Sequence, residues 1–149
     1  MGRWWAMVML FSGGLFVGGL VVIAWERLPA WRATDPAQFP TGFAHTLARV
    51  DHLQPALLVT CLGATIGFAT ATSGPARTLA TLAAGGLLVV LIGSLAWLVP
   101  IQRRLITATS APPPPAEVEV LRARWLGGHL VRTALALACF ALTVIATVI

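Results

Sequence analysis

The stretch Trp4–Trp25, WWAMVMLFSGGLFVGGLVVIAW, runs for 22 residues without a charged side chain. At a rise of about 1.5 Å per residue it spans roughly 33 Å as a helix, close to the thickness of a bilayer's hydrocarbon core. Inside lipid no water is at hand to satisfy backbone N–H and C=O groups, so a crossing segment of this kind must be α-helical. The run is longer than the apolar region of a secretory signal and lacks an A-x-A cleavage site, so it reads as a retained span. Three further runs follow: Pro55 to Thr72, Leu79 to Ile101, and Thr133 to Ile149. The expected fold is all-α, a single four-transmembrane-helix bundle over residues 1–149, with spans near 4–25, 55–72, 79–101 and 133–149.

Composition agrees. Of the 149 residues 58% are hydrophobic and 10% are charged, whereas about 25% charge is usual in a soluble domain. So little polar surface cannot coat a globule in water. All ten basic residues are arginine, and the net charge is +5. In a soluble protein that balance would suggest a nucleic-acid partner. Here the arginines flank apolar runs, so the bilayer and its anionic headgroups are the expected partner, and nucleic acid is not.

The arginines are unevenly placed. Arg27, Arg32, Arg49, Arg103, Arg104, Arg122, Arg124 and Arg132 fall at the end that holds the first-to-second and third-to-fourth connections; only Arg3 and Arg77 fall at the other. By the positive-inside rule the arginine-rich end faces the cytoplasm and both termini face outward, in a multi-pass protein of the inner membrane. Trp4 and Trp5 mark one interface, and Trp25, Trp31, Trp97 and Trp125 are expected to form an aromatic belt at the other. Gly14/Gly18 and Gly63/Gly67 have the spacing that allows close helix approach.

The connections differ in length. Ser73–Thr78 is a tight turn. Helix two is expected to begin near residue 41, ahead of its apolar part, because Phe43, Leu47 and Val50 keep a helical spacing. Pro55 should produce a kink or widened turn between Asp51 and Pro55, turning His52 toward the bundle axis. Pro112–Pro115 favours an extended segment, after which Glu117 and Glu119 suit the start of a helix that continues into the fourth span.

Every histidine (His45, His52, His129) and every carboxylate (Glu26, Asp35, Asp51, Glu117, Glu119) maps to the arginine-rich end. His45, Arg49 and His52 share a helical face at i, i+4, i+7, and Trp125, His129 and Arg132 repeat that spacing. Two chemistries suit such a set. One is an interfacial polar network in which arginines snorkel and histidines donate hydrogen bonds. The other is a site for a lipophilic small molecule, with histidines and a carboxylate as acid, base or ligands to iron or copper. Glu26, His52 and His129 are the expected metal ligands. His45 lies in a second shell or second site, about 10.5 Å of helical rise from His52. Cys61 and Cys139 lack a CxxC spacing and read as buried packing residues. The first and third spans carry no interior charge, which argues against an ion-coupled transporter.

Two short motifs resemble a known family. Pro100-Ile101-Gln102-Arg103-Arg104-Leu105 resembles the end of the third span in the anthrone-oxygenase-like membrane proteins, with Gln102 where that pattern has Asn. Arg124-Trp125-Leu126-Gly127-Gly128-His129-Leu130-Val131-Arg132-Thr133 resembles the start of their fourth span. The glycine-rich first span and Pro29 in the first connection also fit. The resemblance implies a four-helix membrane protein, some of whose relatives oxygenate polycyclic anthrones to quinones. It assigns Arg103, Trp125, His129 and Arg132 to the family's polar positions, with Trp125 and Arg103 binding substrate.

The expected function is therefore oxidation of an electron-rich lipophilic aromatic at the cytoplasmic end, with dioxygen as co-substrate and with or without a metal. His52, His129 or Glu26 would remove a C–H proton, and Arg49 or Arg132 would stabilise the anion. The alternative is a non-catalytic membrane subunit or lipid-binding protein, for which a homo-oligomer is one arrangement. The arginine asymmetry makes a direct prediction: a topology reporter fused after Ile149 is active outside the cytoplasm, and activity confined to the cytoplasm reverses the orientation.

Overall fold

The computed structural model describes residues 2–50, 52–106 and 113–149; the side chains of Arg49 and Val50 also fall outside the description. Expectations that rest on Asp51 or Pro112 therefore lie outside the described residues. The described chain is all helix, in five pieces: α1 (Gly2–Ala33), α2 (Phe39–Val50), α3 (Leu53–Ala71), α4 (Gly74–Ile106) and α5 (Pro115–Val148). Four of them, α1, α3, α4 and α5, are long and apolar enough to cross a membrane. They pack in the cyclic order α1–α3–α4–α5, with α5 returning to α1. The amphipathic α2 lies at the arginine-rich end, against the last turns of α4.

Prolines shape this end of the bundle. Pro29 and Pro100 sit inside the long helices α1 and α4, where a proline ring collides with the carbonyl four residues back. In both places the helix widens into a π turn just before the proline, over Ile23–Arg27 in α1 and Ser94–Leu98 in α4. The N–H of Leu28 reaches the carbonyl of Ile23, and that of Val99 reaches Ser94. Each proline directly follows the residue that closes the wide turn, so α1 and α4 continue past it. Pro55 acts differently. The described part of α2 runs to Val50 and α3 begins at Leu53 after a turn at His52, which puts Pro55 in a first turn, where its missing N–H costs no helical bond; the bend expected at Asp51 lies outside the described residues.

The link from α1 to α2 is a turn in which Asp35 Oδ1 accepts the Ala37 N–H at 2.8 Å. At the opposite end α3 stops at Ala71 and α4 starts at Gly74, whose φ of 61° suits a residue without a side chain. Arg77 closes that turn, its Nε donating to the carbonyls of Ala69 (3.1 Å) and Thr72 (2.8 Å). Arg104 and Glu117 pair at 2.7 Å, tying the end of α4 to the first turn of α5, where a carboxylate also meets the favourable end of the helix dipole.

The core has three layers. Met9, Ala64, Phe68, Ala80 and Ala146 fill the end near the termini. Phe16, Leu20, Leu58, Leu87, Ala136 and Cys139 fill the middle. An aromatic layer closes the arginine-rich end, where Trp31 meets Phe43 and Trp125 edge to face, with ring centroids 5.2 and 5.6 Å apart. This layer corrects the expected belt. Trp25 and Trp97 are exposed, as belt residues are, but Trp31 and Trp125 are core.

In lipid, association rests on close packing more than on the hydrophobic effect. One glycine of each spaced pair takes a neighbour, Gly14 meeting Phe140 and Gly67 receiving the Trp5 indole, while Gly18 and Gly63 face open space; outside the pairs, Gly86 receives Cys139 Sγ. Gly86→Leu should therefore destabilise the bundle by about 1–3 kcal/mol. Gly85→Leu, one residue away with nothing within 4 Å, should be near neutral. Thermal unfolding in detergent micelles compares the two.

Candidate functional site

The site is built around one face of α5. Trp125, His129 and Arg132 recur at i, i+4 and i+7, so their side chains stack along the helix. The Trp125 and His129 rings lie nearly parallel, at 17° with centroids 5.2 Å apart. His129 is completely buried. One ring nitrogen, Nε2, lies 3.2 Å from the backbone carbonyl of Leu20 in α1, and the other, Nδ1, lies 2.8 Å from Arg132 Nη2. A carbonyl only accepts and a guanidinium only donates. The ring therefore carries its proton on Nε2, donates it to Leu20, and accepts from Arg132 on Nδ1, which assigns the neutral tautomer from the partners.

Leu20 lies just before the π turn of α1. The usual helical partner of its carbonyl is the N–H of Ala24, which falls where the bonding step changes from four residues to five. The widened turn and the histidine thus meet at the same point. Trp125 is held by the aromatic layer, 4.8 Å from Phe43 edge to face. Arg122, one turn earlier on α5, donates to the carbonyls of Trp31 (3.2 Å) and Thr34 (2.6 Å) and lies over the Phe39 ring at 5.5 Å. It thereby caps α1 and clamps α2.

Arg132 stands on the wall between two spaces. Inward is a cavity of about 90 Å³, lined by Gln54, Ser94, Gln102, Trp125 and Arg132 among apolar residues that include Phe16 and Leu58. Ligand pockets are commonly about 300 Å³ or more, so this space suits a functional group or a few small molecules but not a whole fused-ring compound. Gln54 Oε1 and Trp125 Nε1 are buried there without a hydrogen-bond partner among the described residues. One is an acceptor and the other a donor, so the cavity suits an oxygen that can both accept and donate. Gln54 is placed by Gly19 of α1: a Cβ on Gly19 would run into Gln54 Nε2. Outward from Arg132 is an open groove of about 400 Å³ between α4 and α5, almost wholly apolar. Ser94, Leu98 and Arg132 line both spaces.

The other expected site residues are dispersed. Glu26 is 61% exposed and lies 3.6 Å from Arg27. Together with His45 it lines a separate depression of about 540 Å³. His52 is exposed at the start of α3 and is not turned toward the bundle axis. Of the expected face His45–Arg49–His52, the Arg49 side chain lies outside the described residues and His52 belongs to the turn before α3. Arg103 is exposed on α4.

No group of three or more His, Cys, Asp or Glu is assembled among the described residues in a way that could hold a metal ion. The expected ligand set Glu26–His52–His129 is therefore not formed, and both nitrogens of His129 are already engaged. The described residues do not fit iron or copper.

Reading the residues alone missed Gln54, Ser94 and the Leu20 carbonyl. A signal was present for Gln54: it is one of three glutamines in the chain, at the edge of an apolar run, where an unpaired amide is costly. His129→Phe should keep the ring contact with Trp125 but strand Arg132 and the Leu20 carbonyl. The expected cost is about 1–3 kcal/mol, read as a lower unfolding temperature in micelles, with His129→Gln partly sparing it.

Comparison with known proteins bears on this arrangement. No curated protein and no solved structure matched the chain. The family model described as anthrone oxygenase matches residues 43–142, which include α3 and α4 entire, most of α2 and α5, and the Trp125–His129–Arg132 face. That match takes in 100 of the 149 residues, and the chain belongs to the anthrone oxygenase family.

Proposed function

We propose that this protein is a membrane-embedded oxygenase that converts a lipophilic anthrone-type ketone to the quinone, with dioxygen as co-substrate. The observation that carries the reading is Arg132: a half-buried cation on a helix apolar enough to cross a membrane, held by a buried neutral histidine, on the wall of a small cavity that also holds Gln54 and Trp125. An anthrone has a CH₂ group across the ring from its carbonyl. Loss of one proton leaves an anion whose charge is concentrated on the carbonyl oxygen, and a guanidinium in a low-dielectric setting is well suited to stabilise it.

The electron balance needs no external reductant. The deprotonated carbon gives its electron pair to dioxygen and forms a C–O bond, and the peroxide so formed takes up a proton. Loss of the remaining C–H proton with cleavage of the O–O bond then leaves the second carbonyl and releases water. One CH₂ and one O₂ become one C=O and one H₂O. The substrate's own electrons reduce the oxygen.

Arg132 is the catalytic residue in this scheme, and His129 is a positioning residue, since its Nδ1 lone pair already accepts from Arg132. Neither of the other expected bases lines the cavity, since Glu26 opens onto a different depression and His52 is exposed; the proton therefore passes to water, from a C–H made acidic by the adjacent guanidinium. Trp125 and Gln54 offer a donor and an acceptor to the substrate oxygen or to the peroxide. The site lies at the cytoplasmic end if the arginine asymmetry sets the orientation.

The test is oxygen uptake and quinone absorbance with anthrone and protein reconstituted in nanodiscs. Arg132→Gln should lower kcat about 100-fold with the fold intact, and Arg132→Lys should recover part of it. Equal turnover by wild type and Arg132→Gln would overturn the assignment.

A further inference from the structure

We infer that the substrate reaches Arg132 sideways from the bilayer, through the groove between α4 and α5, and that Gly93 and Gly127 set the groove's width for a planar fused-ring molecule. The inference rests on the oxygenase reading and adds to it a route and two specificity-determining positions.

Size is the first argument. The inner cavity, at about 90 Å³, admits a carbonyl or a peroxide but not three fused rings. The groove, at about 400 Å³, falls within the range of small-molecule sites. The two share a wall made by Ser94, Leu98 and Arg132. A molecule lying in the groove can thus present its oxygen to Arg132 while its rings stay in an apolar slot.

Wall chemistry is the second. Gly93 on α4 and Gly127 on α5 both line the groove, and a Cβ built on either meets no atom within 4 Å. Space is left open on both walls. Gly128, next along, instead receives Leu98, which fixes how closely the helices approach beneath the slot. Trp97 adds an exposed indole on which an aromatic guest can stack. Along α5 the lining runs from Ala123 to Leu135, about 18 Å of helix, long enough for a three-ring guest.

The buried end is the third. The Trp125 side chain is almost wholly buried, and its Nε1 donor has no partner among the described residues. A lipid acyl chain has no polar atom to offer it or Arg132. An aryl ketone has one.

The experiment uses full-length protein in phosphatidylcholine nanodiscs with 9,10-anthraquinone, which resembles the proposed product and cannot turn over, so binding is read apart from activity by quenching of tryptophan fluorescence. Wild type should quench saturably. Gly127→Leu and Gly93→Leu should each weaken binding at least about tenfold and raise the KM for anthrone. Gly85→Leu, on the same helix but outside the groove, should match wild type. The two groove positions are open, so both variants should fold, and an unchanged unfolding temperature confirms it.

Normal binding and turnover in both groove variants would overturn the lateral route while leaving the oxygenase reading in place. So would saturable quenching of Trp97 by dibrominated phosphatidylcholine that anthraquinone cannot displace, because the groove would then hold lipid. Crosslinking of two copies through Gly127→Cys, unaffected by anthraquinone, would make the groove a subunit interface and also overturn it. A wild type that binds anthraquinone but never oxidises anthrone removes the oxygenase reading instead.

Discussion

The arginine-rich end of the bundle depends on one buried imidazole. His129 has two nitrogens, and the protein uses one as a donor and the other as an acceptor. A doubly protonated ring could not accept from Arg132, and the opposite tautomer would set two donors and two acceptors against each other. The neutral Nε2–H form satisfies both partners at once, and in doing so couples α1 to α5 and points Arg132 toward the cavity. No other residue type does this in the same volume. Phenylalanine fills the space but bonds to neither partner, and glutamine lacks the flat ring that stacks on Trp125.

The same end is shaped by three prolines acting in different ways. Pro29 and Pro100 sit deep in long helices, so the clash each creates is relieved by a wide turn, and Ile23, Ser94 and Leu98 from those turns line the cavity. Wide turns of this sort loosen the backbone ladder locally and recur at functional sites. Pro55 falls where the chain has already left one helix and begun another, so it starts α3 without strain. It also lines the cavity, beside Gln54. The cavity is thus in large part a product of backbone irregularities that place polar groups at a depth where regular helices would bury only apolar side chains.

This explains how much could be read from sequence. The four spans were legible because lipid leaves the chain a single choice, and an uncharged run of 22 residues declares it. The Trp125–His129–Arg132 face was legible because one unbroken helix carries it and helical spacing is regular. What failed to carry over were expectations that extended regularity across a break. His45, Arg49 and His52 look like a face only if one helix runs through them, and His52 belongs to the turn before α3. Glu26 was expected beside His129 because both belong to the same membrane edge. His129 instead meets the Leu20 carbonyl, about 9 Å of helical rise short of Glu26, and neither that offset nor azimuth around the bundle was something spacing within one helix could give. Trp31 and Trp125 were placed in a belt on the same grounds, depth without azimuth, and the structure puts both inside.

The position of Arg132 follows from competing costs. A guanidinium deep in hydrocarbon costs several kcal/mol, and one in bulk water has little power to stabilise an anion. At the boundary, backed by His129 and facing a cavity with other polar groups, the charge is partly compensated while the local dielectric stays low. A lipophilic substrate imposes the same compromise from its own side: its rings favour the bilayer, and its developing oxyanion requires a donor. In the proposed reaction the groove, on the outer side of Arg132, takes the rings, and the cavity, on its inner side, takes the oxygen. An enclosed pocket large enough for the rings would have to be opened for each substrate, with α4 and α5 parting. A slot already open to lipid leaves only the oxygen to be desolvated, and the packing of Leu98 on Gly128 can hold the two helices at fixed separation throughout.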